Sequence, residues 1–173
     1  AKEYIQYLPL YRALDSGNWE AAKRFLDHNP NALTARISTR GETALHMAAA
    51  AGKVKIVEEL VKLMNARDLE LKSIYNDTAL GITASGGFTK IAQILVRKNP
   101  NVLSIKGSNG HIPVVAASIN GHKDMVHYLY SVTPMEDLNP DTSSSGVALL
   151  FGCINAEIFD VALNLLHRYK MLV

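Results

Sequence analysis

The chain has 173 residues, of which 48% are apolar, 20% charged and 7% aromatic. That apolar share excludes wholesale disorder, and no apolar run approaches the roughly 20 residues of a membrane-spanning helix. The net charge is only +2, and without a tight Lys/Arg cluster it excludes the concentrated basic face of a nucleic-acid binder, although residues 61–115 are net basic and 116–173 net acidic.

The opening residues, Ala1-Lys2-Glu3-Tyr4, offer neither an initiator Met nor an apolar signal segment, so the chain reads as a piece of something longer or a processed product. From there repetition governs the reading. Leu8-Pro9-Leu10-Tyr11 opens a first unit, with Gly17 at its turn and a second helix running to Leu26. In the next unit Gly41-Glu42-Thr43-Ala44-Leu45 opens a helix, and it returns as Asn76-Asp77-Thr78-Ala79-Leu80 and, degraded, as Gly110-His111-Ile112-Pro113-Val114. Gly17, Gly52, Gly87 and Gly121 keep the same spacing of 35, 35 and 34. His28-Asn29-Pro30-Asn31 and Lys98-Asn99-Pro100-Asn101 are two periods apart, an independent agreement.

Each unit predicts two short helices and a loop. Thr43 is the expected N-cap of the second unit, and His46, three residues on, can reach back to it as a Glu does in a capping box. Pro9 and Pro113 stand at the equivalent of Ala44, where a missing N–H costs nothing. Gly52 ends the first helix in a left-handed conformation. The second helix then shows Val57, Leu60, Val61 and Met64, the spacing of one buried face. Leu95 and Val96 repeat that face, as do Val126, Leu129 and Tyr130. The third unit has Gly81 where His46 stands; the fourth has Ile112 for the capping Thr and Val115 for the His, which predicts a weak fourth helix start. The fifth unit runs from about Gly146 to Leu166 with Ala156 at the turn, and Cys153, the only cysteine, falls in its apolar run as a core residue.

Thr43-Ala44-Leu45-His46-Met47-Ala48-Ala49, with Gly52, Val57 and Leu60 after it, resembles the ankyrin repeat. The resemblance implies an all-α solenoid of about five stacked helix-turn-helix units with projecting finger loops: 5–37, 38–72, 73–106, 107–142 and 143–173. The degraded end units are expected to act as caps. Tyr7-Leu8-Pro9-Leu10-Tyr11, Gly17-Asn18-Trp19-Glu20-Ala21-Ala22-Lys23 and Ala156-Glu157-Ile158-Phe159-Asp160-Val161-Ala162-Leu163 are similar to plant ankyrin-repeat membrane proteins with a C-terminal Pro-Gly-Gly-type membrane module. That resemblance implies stress or defence signalling on the cytoplasmic side of a membrane, the plasma membrane for preference, with attachment only through a segment this chain does not contain.

No acid, base or nucleophile set emerges, so no enzyme, cofactor or metal is expected. His122, Asp124 and His127 are close in sequence, but a spacing of five turns the two histidines to different helix faces, and a structural zinc site would want more cysteine. Gly52-Lys53 is followed by Val54 rather than the hydroxyl of a P-loop. Asn76-Asp77-Thr78 fits a glycosylation sequon, yet Thr78 is already explained as a helix cap.

The ankyrin resemblance implies protein partners on the concave side, built from finger tips and the exposed end of each first helix. Carried over by position, the candidate residues are Thr39, Arg40, Glu42, Ala50 and Ala51; Ile74, Tyr75, Asp77, Ser85 and Gly86; and Ser108, Asn109, His111, Ile119 and Asn120. Ile74 and Tyr75 are the expected anchors, with Tyr75 packing against the neighbouring finger as the competing reading. Arg36 and Arg40 suit an acidic partner. A regulatory domain joined to a kinase or acyltransferase is the alternative to a membrane-anchored interaction module.

Overall fold

The computed structural model describes residues 4–170, so the end of the fifth expected unit, 171–173, lies outside the described residues. The described chain is all-helical: α1 (Leu8–Ser16), α2 (Trp19–His28), α3 (Ala44–Ala50), α4 (Val54–Leu63), α5 (Ala79–Gly86), α6 (Thr89–Lys98), α7 (Pro113–Ile119), α8 (Lys123–Val132), α9 (Ser145–Asn155) and α10 (Phe159–Tyr169). The odd-numbered helices form an inner row in which each packs on the next, and the even-numbered helices form an outer row. This is the expected solenoid of five helix pairs.

Short side chains let the inner row stack. Ala44, Ala48 and Ala49 of α3, Ala79 and Ala84 of α5, and Ala117 of α7 are all buried. The outer helices supply bulk: α4 buries Ile56, Val57, Leu60 and Val61, and α6 buries Ile91, Ala92, Leu95 and Val96. Fully burying one such aliphatic side chain contributes about 1.5–3 kcal/mol, so the outer helices are held by their core faces rather than by helix propensity.

The tight turn inside each pair repeats one hydrogen bond, from Lys53 N–H to Ala48 O, Phe88 to Thr83, His122 to Ala117 and Ile158 to Cys153. The residue before each donor takes a left-handed φ: 65° at Gly52, 74° at Gly87 and 72° at Gly121. In the fifth pair that residue is Glu157, with φ of 58°, and Ala156 is right-handed. The expected turn position is therefore off by one, because the connection before α9 carries extra residues that shift the period.

Pro30 and Pro100 each start a 3-10 turn after the outer helix, which accounts for the recurring Asn-Pro-Asn signature. Asn99 Oδ1 accepts the Asn101 N–H at 3.0 Å, while its amide donates to Ala66 O and Glu70 Oε1 of the preceding unit, both at 2.8 Å. Cys153 is buried in the hydrophobic core, and burial pushes its thiol up to about 12.

Helix starts differ as the sequence predicts. Thr43 and His46 form a capping box, and Thr78 Oγ1 accepts the Gly81 N–H at 3.2 Å. Ile112 gives α7 no side-chain cap, leaving Pro113 as its only adaptation. An absent cap costs about 0.5–2 kcal/mol. Amides of the first turn of α7 are therefore expected to exchange faster with solvent deuterium than those of α3 and α5. Uniform full protection across 110–130 would contradict this.

Candidate protein-interaction surface

Between successive helix pairs the chain runs out into fingers and back. Each finger closes on a backbone bond: Ile37 N–H to Glu42 O, Ser73 to Asp77 and Gly107 to His111. The left-handed residues Gly41, Asn76 and Gly110 turn the tips. The fingers also hold one another. Ile74 N–H donates to Arg40 O at 3.0 Å, Ser108 N–H donates to Asp77 Oδ1 at 2.9 Å, and Lys72 Nζ donates to Lys106 O at 3.1 Å.

His46 ties this row to the helices. Its Nδ1 accepts the Thr43 N–H at 3.3 Å and the Thr43 hydroxyl at 2.8 Å, so Nε2 carries the proton and donates to Asp77 O at 3.0 Å. The ring is buried, and that burial holds its pKa below the ordinary 6.5 despite the hydrogen bond to Asp77 O. The sequence predicts the cap; the bridge to the next finger is found only in the fold.

The finger tips and helix ends meet in a small crevice of about 70 Å³, lined by Asp77, Ser85, Ser108, Asn109, His111, Ile119 and Asn120 among others. Seven candidate residues from the third and fourth units are thus brought together. Ile74 is 60% exposed, Tyr75 56% and Ile119 57%. Tyr75 therefore does not bury itself against the neighbouring finger, whereas Ile74 Cγ2 lies against Gly41. Thr39, Arg40, Ala50, Ala51, Ser85 and Gly86 are exposed.

Two carboxylates are otherwise engaged. Glu42 is buried, accepting from the Ser38 hydroxyl at 2.8 Å and from Arg40 Nε at 3.2 Å, so it shapes its own finger instead of facing outward. Asp77 spends Oδ1 on the next finger. Local pairing of this kind is invisible to a positional carry-over. The cations along the fingers are Arg36, Arg40, Lys72 and Lys106.

The histidines of the fourth unit go separate ways. His122 Nε2 donates to Ser85 O at 2.9 Å, and His127 Nε2 meets Asp160 Oδ2 at 2.7 Å, which lowers the Asp160 pKa. Among the described residues no group of three or more His, Cys, Asp or Glu is placed to hold a metal ion, and no helix is long and apolar enough to cross a membrane. A groove that sequence reasoning missed, about 470 Å³, lies between α4 and α6 on the outer row and is lined by Glu58, Val61, Lys62, Ile94, Arg97 and Lys98. Its lysine and arginine stems flank apolar residues as solvated outer-helix faces do.

Known proteins carry related sequences. The chain is similar to the target of rapamycin complex 2 subunit AVO2 of Saccharomyces cerevisiae, 28% identical over 149 residues, covering 84% of this chain and 35% of that protein. It is also similar to the probable 26S proteasome regulatory subunit p28 of the same yeast, 25% identical over 118 residues, covering 68% of this chain and 51% of that protein. The chain thus spans about a third and about half the length of these two relatives. The family described as ankyrin repeats in three copies matches residues 5–73 and 59–142. With the five helix pairs, the His46 bridge and the linked fingers, these matches mean that the chain belongs to the ankyrin-repeat family.

Proposed function

We propose that the chain is a non-catalytic protein-interaction module that binds its partner on the concave face of fingers and inner-helix ends. The observation that carries this reading is the presence of exposed apolar side chains and cations on the same row of fingers and helix ends. Ile74 and Tyr75 are exposed on fingers that also carry Arg36, Arg40, Lys72 and Lys106, and Ile119 is exposed at the end of α7, while the carboxylates of Glu42 and Asp77 are occupied within the fingers. The matching partner is an acidic segment bearing apolar anchors. Both yeast relatives are by name subunits of larger assemblies, which supports binding rather than chemistry. The resemblance to plant ankyrin-repeat membrane proteins supports a place on the cytoplasmic side of a membrane in stress or defence signalling, attached by a segment other than these residues.

The double substitution Arg40→Ala with Tyr75→Ala tests the surface. Affinity for a partner captured from native extract is expected to fall about 10- to 100-fold, with the thermal melt only slightly lowered, because both side chains are exposed and Ser38 still bonds to Glu42 when Arg40 is lost. Unchanged affinity for that partner would remove this face from consideration.

A further inference from the structure

The fifth helix pair keeps an apolar face uncovered by the described residues. Val147 is 38% exposed, Phe151 63% and Ile154 46% on α9, and Leu163 is 54% exposed on α10. The turn bonds from His122 to Ala117 and from Ile158 to Cys153 fix the fifth pair 36 residues after the fourth. On that register Val147, Phe151 and Ile154 stand where His111, Val115 and Ser118 stand one unit earlier, and Leu163 stands where His127 does.

Two of those earlier residues meet the next unit: Ser118 lies directly against Gly152 of α9, and His127 reaches across to Asp160, while Val115 is fully buried. Phe151 shares its place with His46, whose ring bonds to the third unit's Asp77 O. A capping unit turns polar residues toward solvent at these places. The fifth pair instead presents a phenylalanine and an isoleucine, so the sequence-based expectation of a cap is not met.

We infer that α9 and α10 form an internal unit, and that a sixth helix pair of the same repeat kind, carried by the same polypeptide, stacks on this face. The occupant follows from continuity with the four inner-row contacts already present, in which α1, α3, α5 and α7 each receive the next inner helix. Each outer helix hands the chain to the following unit on that side, so α10 delivers it to this face. A tethered unit also binds without the association cost that a separate molecule meets. Its inner helix needs a small residue opposite Ile154, as Gly152 lies opposite Ser118.

Thiol labelling reads the cover directly. An Ile154→Cys variant is compared in residues 1–173 and in the full natural gene product, using a maleimide; native Cys153 is buried and contributes little background. The new thiol is expected to react fast in residues 1–173 and about 10-fold or more slowly in the full product. Leu163→Cys gives the same comparison from α10, should the first variant disturb α9. Equal fast labelling in both, or a natural product ending at Val173, would overturn the inference. Protection of residues 1–173 that grows with protein concentration would overturn it as well, because a second copy would then be the occupant.

Discussion

Replacing His46 by Ala is expected to lower the stability of the array by about 2–4 kcal/mol, read from chemical denaturation. The loss combines the ring's half of the capping box, which leaves the buried Thr43 N–H without its acceptor at about 1–3 kcal/mol, with the lost hydrogen bond to Asp77 O, at about 0.5–1.5 kcal/mol because Asp77 O keeps the Ser73 N–H. The void left by the ring adds to both. Because His46 bridges the second and third units, hydrogen exchange should rise in finger 73–77 as well as in α3. A change confined to α3 would mean that the bridge carries no energy.

The same residue sets a pH dependence, and its sign is fixed. Burial keeps the folded imidazole neutral, with its pKa below 6.5. As pH falls through 6.5, the unfolded chain takes up a proton that the folded chain resists, so the His46 contribution is present above 6.5 and is lost below it. The stability gap between the wild type and His46→Gln should therefore narrow from about pH 7.5 to about pH 5.5. A constant gap would show that the ring is protonated equally in both states.

Substituting Gly152 is expected to detach the fifth helix pair. An added methyl would overlap the Ser118 hydroxyl and lie 2.9 Å from Ser118 Cβ and 3.4 Å from Ile119 N. Ser118 is buried, and its hydroxyl donates to Val115 O at 2.8 Å, so the neighbour has little room to yield. Helix propensity alone would favour Ala over Gly by about 1 kcal/mol. Overpacking costs about 1–3 kcal/mol and should win for Gly152→Ala, and by more for Gly152→Val. Since each unit leans only on its neighbours, deuterium uptake should rise across 145–169 while α3 and α5 stay protected. Adding Ser118→Gly should recover part of the loss. A stabilised Gly152→Ala variant would show that propensity, not packing, governs α9.

How far the candidate surface can be read from sequence differs by residue. Ile74, Tyr75 and Arg40 are exposed where the repeat position puts them, because a finger tip projects whatever its side chain, and Ile119 is exposed at the open end of α7. Glu42 and Asp77 hold equivalent positions but turn inward, since a hydroxyl at Ser38 and an N–H at Ser108 lie within reach of their carboxylates. Those partners depend on backbone geometry that a spacing does not contain. The turn at Glu157 illustrates the same limit: a degraded repeat lost its glycine, and only the hydrogen bond from Ile158 to Cys153 locates the turn.

The sequence by itself determined the repeat, the helix pairs, the Thr43 and Thr78 caps and the side chains that form the core, because these follow from local periodicity and from backbone preferences within a few residues. Only the tertiary structure decided which polar groups serve the stack and which face outward. It likewise decided that His46 joins two units and that the fifth pair leaves Phe151, Ile154 and Leu163 exposed among the described residues. Those properties belong to contacts made between residues about one repeat apart, and their energy depends on what the neighbouring unit places opposite.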